Sequence, residues 1–115
     1  MRRSHTVPIE LFASLANGPY ESEPYEAGWA SEAIAFVYVR EVAGPDPRLE
    51  LRAQGSADGQ RWVDLGAAFP PQTAPGGALL RLTHFGNWLR LVGAVSGGPS
   101  SGPAAIVDIY WVFKE

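Results

Sequence analysis

Two histidines, the stretch SADGQRW (56 to 62) and a run of four glutamates are the parts of this chain whose residue types could do chemistry. Nucleophilic catalysis needs a Ser or Thr beside a His that a carboxylate orients. His5 falls in residues 1 to 6, which are expected to form a flexible N-terminal arm. His84 follows Thr83 in an expected strand, where alternation sends the two side chains to opposite faces. Two histidines without a spaced acid motif do not make a three-ligand zinc site. Glu21, Glu23, Glu26 and Glu32 lack the Asp/Asn and Gly spacing of a calcium loop, and nothing marks one of them as a glycosidase acid. They read as a solvated acidic connection. Gly76-Gly77 and Gly97-Gly98 do not open a helix carrying a Lys, so neither suggests a phosphate cradle. The chain has no cysteine, which excludes thiolate catalysis, disulfides and Cys-ligated metals. The expectation is therefore no catalytic residue, no metal site and no cofactor.

SADGQRW itself is expected to be a turn. Asp58-Gly59 supplies the positive backbone dihedrals of a hairpin, with Trp62 packing near the following strand. A functional reading would make Asp58 a ligand or an acid. It would need partners, and the nearest acid, Asp64, is expected on the face of Trp62.

The elements around these residues read as β throughout. Val7, Ile9 and Leu11 alternate across an expected strand at 6 to 14, with Pro8 demoting it to an edge. A doubtful strand lies at 25 to 29. Further strands are expected at 34 to 42, 48 to 55, 61 to 66, 78 to 85, 87 to 95 and 104 to 114, with Gly86-Asn87 as a tight turn between two of them. Thirteen Gly and ten Pro suit a chain that turns back often rather than a helical bundle. One domain spanning 1 to 115 is expected, an antiparallel sandwich of about eight strands. Eight strands favour a jelly roll; seven would favour an immunoglobulin-like sandwich.

A net charge of -3 provides no broad cationic field, so no nucleic-acid partner is expected. No segment approaches eighteen apolar residues, so no membrane span is expected. Pro8 and Glu10 interrupt the apolar core that a signal peptide requires.

LRAQGSADGQRWVDLG resembles the strand, Ser-x-Asp-Gly turn, strand and Trp pattern of β-sandwich modules, and FGNWLRLVGAVSG adds their returning Arg-bearing strand. Such modules include small accessory (decoration) proteins of phage virions and discoidin-like carbohydrate- or lipid-binding domains. The discoidin-like cysteine pair has no counterpart here. What the resemblance implies is an architecture.

The most informative pattern is apolar surplus. Val107, Ile109, Trp111 and Phe113 would fill one face of the last strand, leaving Ile106, Tyr110 and Val112 on the other; residues 34 to 42 are apolar on both faces too. Either long loops at 16 to 33 and 67 to 77 fold back over this surplus, or it meets another protein. The second reading gives a structural or interaction protein, partnered by itself as a trimer or larger ring and by a larger assembly. It would reside in a virion or a cytoplasmic particle. Tyr38, Trp88, Arg90, Ile106, Tyr110 and Val112 are the expected interface residues, because Trp, Tyr and Arg carry most interface energy. The alternative is a carbohydrate-binding module that uses Trp29 and Trp62 as sugar platforms.

Overall fold

A computed structural model describes residues 3 to 115. Among them are nine strands and no helix: β1 (Ser4–Leu15), β2 (Gly18–Glu21), β3 (Tyr25–Glu26), β4 (Glu32–Val42), β5 (Arg48–Ser56), β6 (Val63–Ala68), β7 (Gly76–Thr83), β8 (Trp88–Ser96) and β9 (Ala105–Lys114). One sheet, here sheet A, runs β1-β9-β4-β7; the facing sheet B runs β2-β8-β5-β6, with β3 also on β8. All pairings are antiparallel. Since β2 and β3 pair with consecutive stretches of β8, they act as one edge strand interrupted at Ser22 to Pro24. The result is two interleaved sheets with eight strand positions, a jelly-roll-like sandwich rather than an immunoglobulin-like one.

The core forms where period-two alternation meets matched sizes. Val107, Ile109, Trp111 and Phe113 of β9 are buried and meet Leu49, Leu51, Leu89 and Leu91 in a single cluster. Trp111 is paired across the ladder with Ala35, and Phe113 with Ala33. Small residues on β4 thus leave the volume that the two large rings fill. Aromatic stacking of Trp111 on Phe113, with centroids 5.6 Å apart, continues to Trp29 at the edge of Phe113. Close strand approach imposes one further demand: a Cβ at Gly93 would run into the Glu50 carbonyl oxygen of the neighbouring β5.

Three expectations are corrected by this arrangement. Gly86-Asn87 is not a hairpin turn, because β7 and β8 belong to different sheets and residues 84 to 87 carry the chain across. His84 lies in that crossing with φ 56 rather than in a strand. Residues 4 to 6 are not a free arm: Ser4, His5 and Thr6 pair with Lys114, Phe113 and Val112. The remainder of that expected arm, 1 and 2, lies outside the described residues. The strand at 18 to 21 was missed because Gly18 and Pro19 read as punctuation, yet an edge strand tolerates both.

Trp111→Ala should cost about 3–5 kcal/mol, in line with deletion of a buried aromatic, and Trp111→Phe much less; urea titration followed by circular dichroism measures both. Gly93→Ala should destabilise by about 1–3 kcal/mol through overpacking. A Gly93→Ala protein as stable as the parent would contradict the strand spacing described.

Candidate functional site

The SADGQRW turn closes the β5–β6 hairpin with its polar groups spent on itself. Ser56 Oγ accepts the Asp58 and Gly59 N–H groups at 3.2 and 2.8 Å and donates to Asp58 Oδ1. Asp58 Oδ1 also accepts the N–H groups of Gln60 and Arg61, both at 2.9 Å, and Oδ2 accepts Arg61 Nε at 2.8 Å. These backbone N–H donors of Arg61 and Gln60, ahead of the Arg61 guanidinium, hold the carboxyl well below the usual range. A carboxylate so occupied is a turn staple, not a base. Gly59 takes φ 79, and any Cβ there would meet the Trp88 ring, so Trp88 rather than Trp62 packs beneath the turn.

The remaining chemical candidates do not converge. Glu21 pairs with Arg90, Glu26 accepts the Gly28 N–H, and Glu32 begins β4 on the other sheet. Among the described residues no group of three or more His, Asp or Glu is placed to hold a metal ion. Among the described residues no helix is long and apolar enough to cross a membrane.

The outer face of sheet B is a cross-strand ladder of paired charge. Arg90 donates to Gln54 Oε1 at 2.9 Å, pairs with Glu21 at 3.1 Å and lies over the Trp62 ring at 4.3 Å. Asp64 accepts from Gln54 and Arg52, in that order of weight, and titrates below its ordinary value. A shallow depression of about 490 Å³ runs over this ladder. Its polar groups already have partners.

The outer face of sheet A is the opposite. Register places Pro8, Tyr110, Phe36 and Leu79 in one row across all four strands, and Thr6, Val112, Ile34 and Arg81 in the next. Tyr38 stacks on Phe36 at 6.2 Å and meets Tyr110 edge-on at 6.0 Å. On β4 the size pattern is inverted: Ala33, Ala35, Val37 and Val39 point into the core, while Ile34, Phe36 and Tyr38 point out. The loops that might have covered this face run elsewhere. Residues 18 to 21 and 25 to 26 extend sheet B, Phe69 N–H bonds the Leu51 carbonyl, and Gln72 exchanges two backbone bonds with Leu49. Ile106, Tyr110 and Val112 are therefore half-buried by their neighbours on the same face rather than by a covering segment.

At the rim of this face sits a residue that sequence reasoning missed. Phe12 lies where the β1–β9 register breaks, at φ 50, with 67% of its surface exposed. A left-handed conformation costs a non-glycine residue about 1–2 kcal/mol. Its neighbours hold it there: the Phe12 N–H donates to Asp108 Oδ1 at 2.8 Å, and the Arg40 guanidinium lies 3.7 Å from the ring centroid. Arg40 in turn bonds Asp108 Oδ2 at 2.7 Å. The Arg40 bond, then the Phe12 N–H, keeps the Asp108 carboxyl below its ordinary value. Asp108, a buried acid in an oily strand, is the anchor of this bulge.

Of the residues expected at an interface, Tyr38, Ile106, Tyr110 and Val112 share the outer face of sheet A. Trp88 and Arg90 do not join them, because β8 lies in sheet B: Trp88 packs under Gly59, and Arg90 belongs to the charge ladder. The two expected sugar platforms each carry a guanidinium, Arg3 at 5.1 Å from the Trp29 ring and Arg90 on Trp62. Trp29 also packs against the core.

Asp58, Asp64 and Asp108 all titrate below the ordinary carboxylate range in the folded chain. Near pH 4 the unfolded chain, with Asp at about 3.9, therefore binds more protons than the folded one. The stability these groups provide is fully present above that range and is lost as pH falls through the lower folded values. Asp108→Asn should lower stability at pH 7 and flatten the loss between pH 5 and pH 3, read by urea titration at each pH; an acid limb as steep as the parent's would remove Asp108 from the account.

No protein-family model matches the chain, and no curated protein matches it. Solved structures do share the fold. The PBSX exported protein XepA is 12% identical with a TM-score of 0.69 over 95% of this chain, which spans 36% of XepA's own length. The SPBc2 prophage-derived protein YomS is 10% identical with a TM-score of 0.60, covering 100% of this chain and 96% of that one. A chain of the capsid of Ralstonia phage GP4 is 14% identical with a TM-score of 0.52, over 98% of this chain and 81% of that one. By its fold the chain is a jelly-roll-like β-sandwich, the fold it shares with these three proteins.

Proposed function

We propose that this chain is a non-enzymatic structural protein that self-associates and decorates or builds a larger protein particle, a phage virion or a comparable shell, using the outer face of sheet A. One observation carries the reading: β4 places its large side chains outside and its small ones inside. An isolated sandwich has no reason to hold Phe36, Tyr38, Tyr110 and Val112 against water, whereas desolvated aromatic clusters are what protein interfaces use. The likeness to XepA, YomS and the GP4 capsid supports this setting, since sandwiches of this form occur in phage proteins. Phe12 fits the same role. Its exposed ring is held out at a backbone cost, and such strain gathers where a surface is used.

Light scattering coupled to size exclusion should find an oligomer at high micromolar concentration. Tyr110→Glu should weaken association by at least tenfold, about 1.4 kcal/mol. Phe12→Gly should separate association from folding: glycine relieves the left-handed strain while the contact with Arg40 is lost, so stability changes by less than about 1 kcal/mol as association falls. A strict monomer, or an oligomer indifferent to Tyr110→Glu, would refute this use of the face.

A further inference from the structure

A sandwich has four exposed sheet edges, and an unprotected one is a template for strand addition. Three edges here are blunted. β1 carries Pro8 and two register breaks, β2 and β3 are interrupted and carry Pro19 and Glu21, and β6 has a register break beside Asp64. β7 carries no proline, interruption or register break. Its eight residues, GGALLRLT, pair with β4 without a register shift and include no proline and one charge, Arg81. Among the described residues, no hydrogen bond joins the β7 backbone to anything beyond β4.

We infer that β7 is a self-pairing edge: two copies join antiparallel through it, fusing two sheets A into one continuous eight-stranded sheet. The inference rests on the self-association reading above but not on the aromatic face. The occupant follows from the strand's own pattern. For the outer faces of both copies to stay on one side, directly opposed residues must share orientation, so the two-fold axis passes through one residue position. Centred on Leu79, which is 38% exposed, the pairing brings the two Leu79 side chains together and extends the row of Tyr110 and Phe36 across the junction. It also sets the partner's Arg81 across from Gly77. The Tyr38 ring leans over Gly77, since a Cβ there would lie 3.2 Å from Tyr38 Cδ1, so the missing side chain leaves room for a guanidinium on that ring. No two like charges are opposed in this register. Arg81 makes no ion pair among the described residues.

The chain has no cysteine, which makes the test direct. Opposed residues across an antiparallel pair place their Cβ atoms about 4.5–5.5 Å apart, so that a small strand adjustment brings them to the spacing a disulfide spans. Leu79→Cys should therefore form a disulfide-linked dimer under mild oxidation at least tenfold faster than Ser100→Cys, an exposed loop control. Arg81→Glu and Leu79→Lys, both at exposed positions, should shift the wild-type oligomer toward smaller species, with the thermal transition unchanged when it is read at a dilution where all three proteins are monomeric. An oligomer in which Leu79→Cys links no faster than Ser100→Cys overturns edge pairing and leaves the aromatic face standing. Rapid linkage at Leu79 in a protein whose assembly ignores Tyr110→Glu supports the edge and overturns the face. A wild-type monomer at high micromolar concentration overturns both.

Discussion

The structure depends on the fit of Trp111 and Phe113 over Ala35 and Ala33. Two large rings on β9 need space, and that space exists because β4 turns its smallest residues inward. The same alternation forces Ile34, Phe36 and Tyr38 outward, where Tyr110 and Val112 of β9 join them. Core and outer face are thus two sides of one packing solution. Filling the interior from β9 fixes which β4 residues face outward, and this sequence makes those residues apolar where an antiparallel sheet commonly turns polar ones to water.

Around that fit the molecule handles polarity in two ways. On sheet B, charges lie one strand apart and cancel in place, Glu21 with Arg90 and Asp64 with Arg52, while Gln54 bridges both pairs. Exposed pairs of this kind contribute little to stability individually. On sheet A one acid, Asp108, is drawn into an otherwise apolar strand and works locally. It fastens the β1 bulge through Phe12 and Arg40. Tyr20 shows a related device beside the same β1 edge: burial, then its bond to Glu10, raises its hydroxyl well above the ordinary value and ties β2 to β1 across the sandwich.

Much of the fold was legible because alternation reports burial directly. Val107, Ile109, Trp111 and Phe113 could be assigned to one face from spacing alone, and a turn at Asp58-Gly59 followed from turn chemistry. Only Gly59 takes a positive φ, however, and the stapling bonds of Asp58 are visible only in the structure. What spacing does not report is which sheet a strand joins. Gly86-Asn87 looked like a hairpin because two good strands flank it, yet the chain there changes sheets. For the same reason Trp88 and Arg90 were grouped with Tyr38 and Tyr110, though they lie on opposite sides of the molecule. Phe12 was invisible for another reason. Its exposure follows from a register break, and that break is set by a contact with Asp108, 96 residues away. Position at the start of the chain says nothing of the pairing of residues 4 to 6 with the end of β9, which is a long-range contact.

The contrast between the two broad sides of the molecule bears on how any array of it could grow. One side is greasy and gains from being covered; the other has its charges neutralised in place and gains nothing from losing water. Copies would spread laterally or settle as a coat with the greasy side down, and the wet side would halt further stacking. Thickness would then be limited to a single coat, or to two laid back to back, without any separate device to stop it.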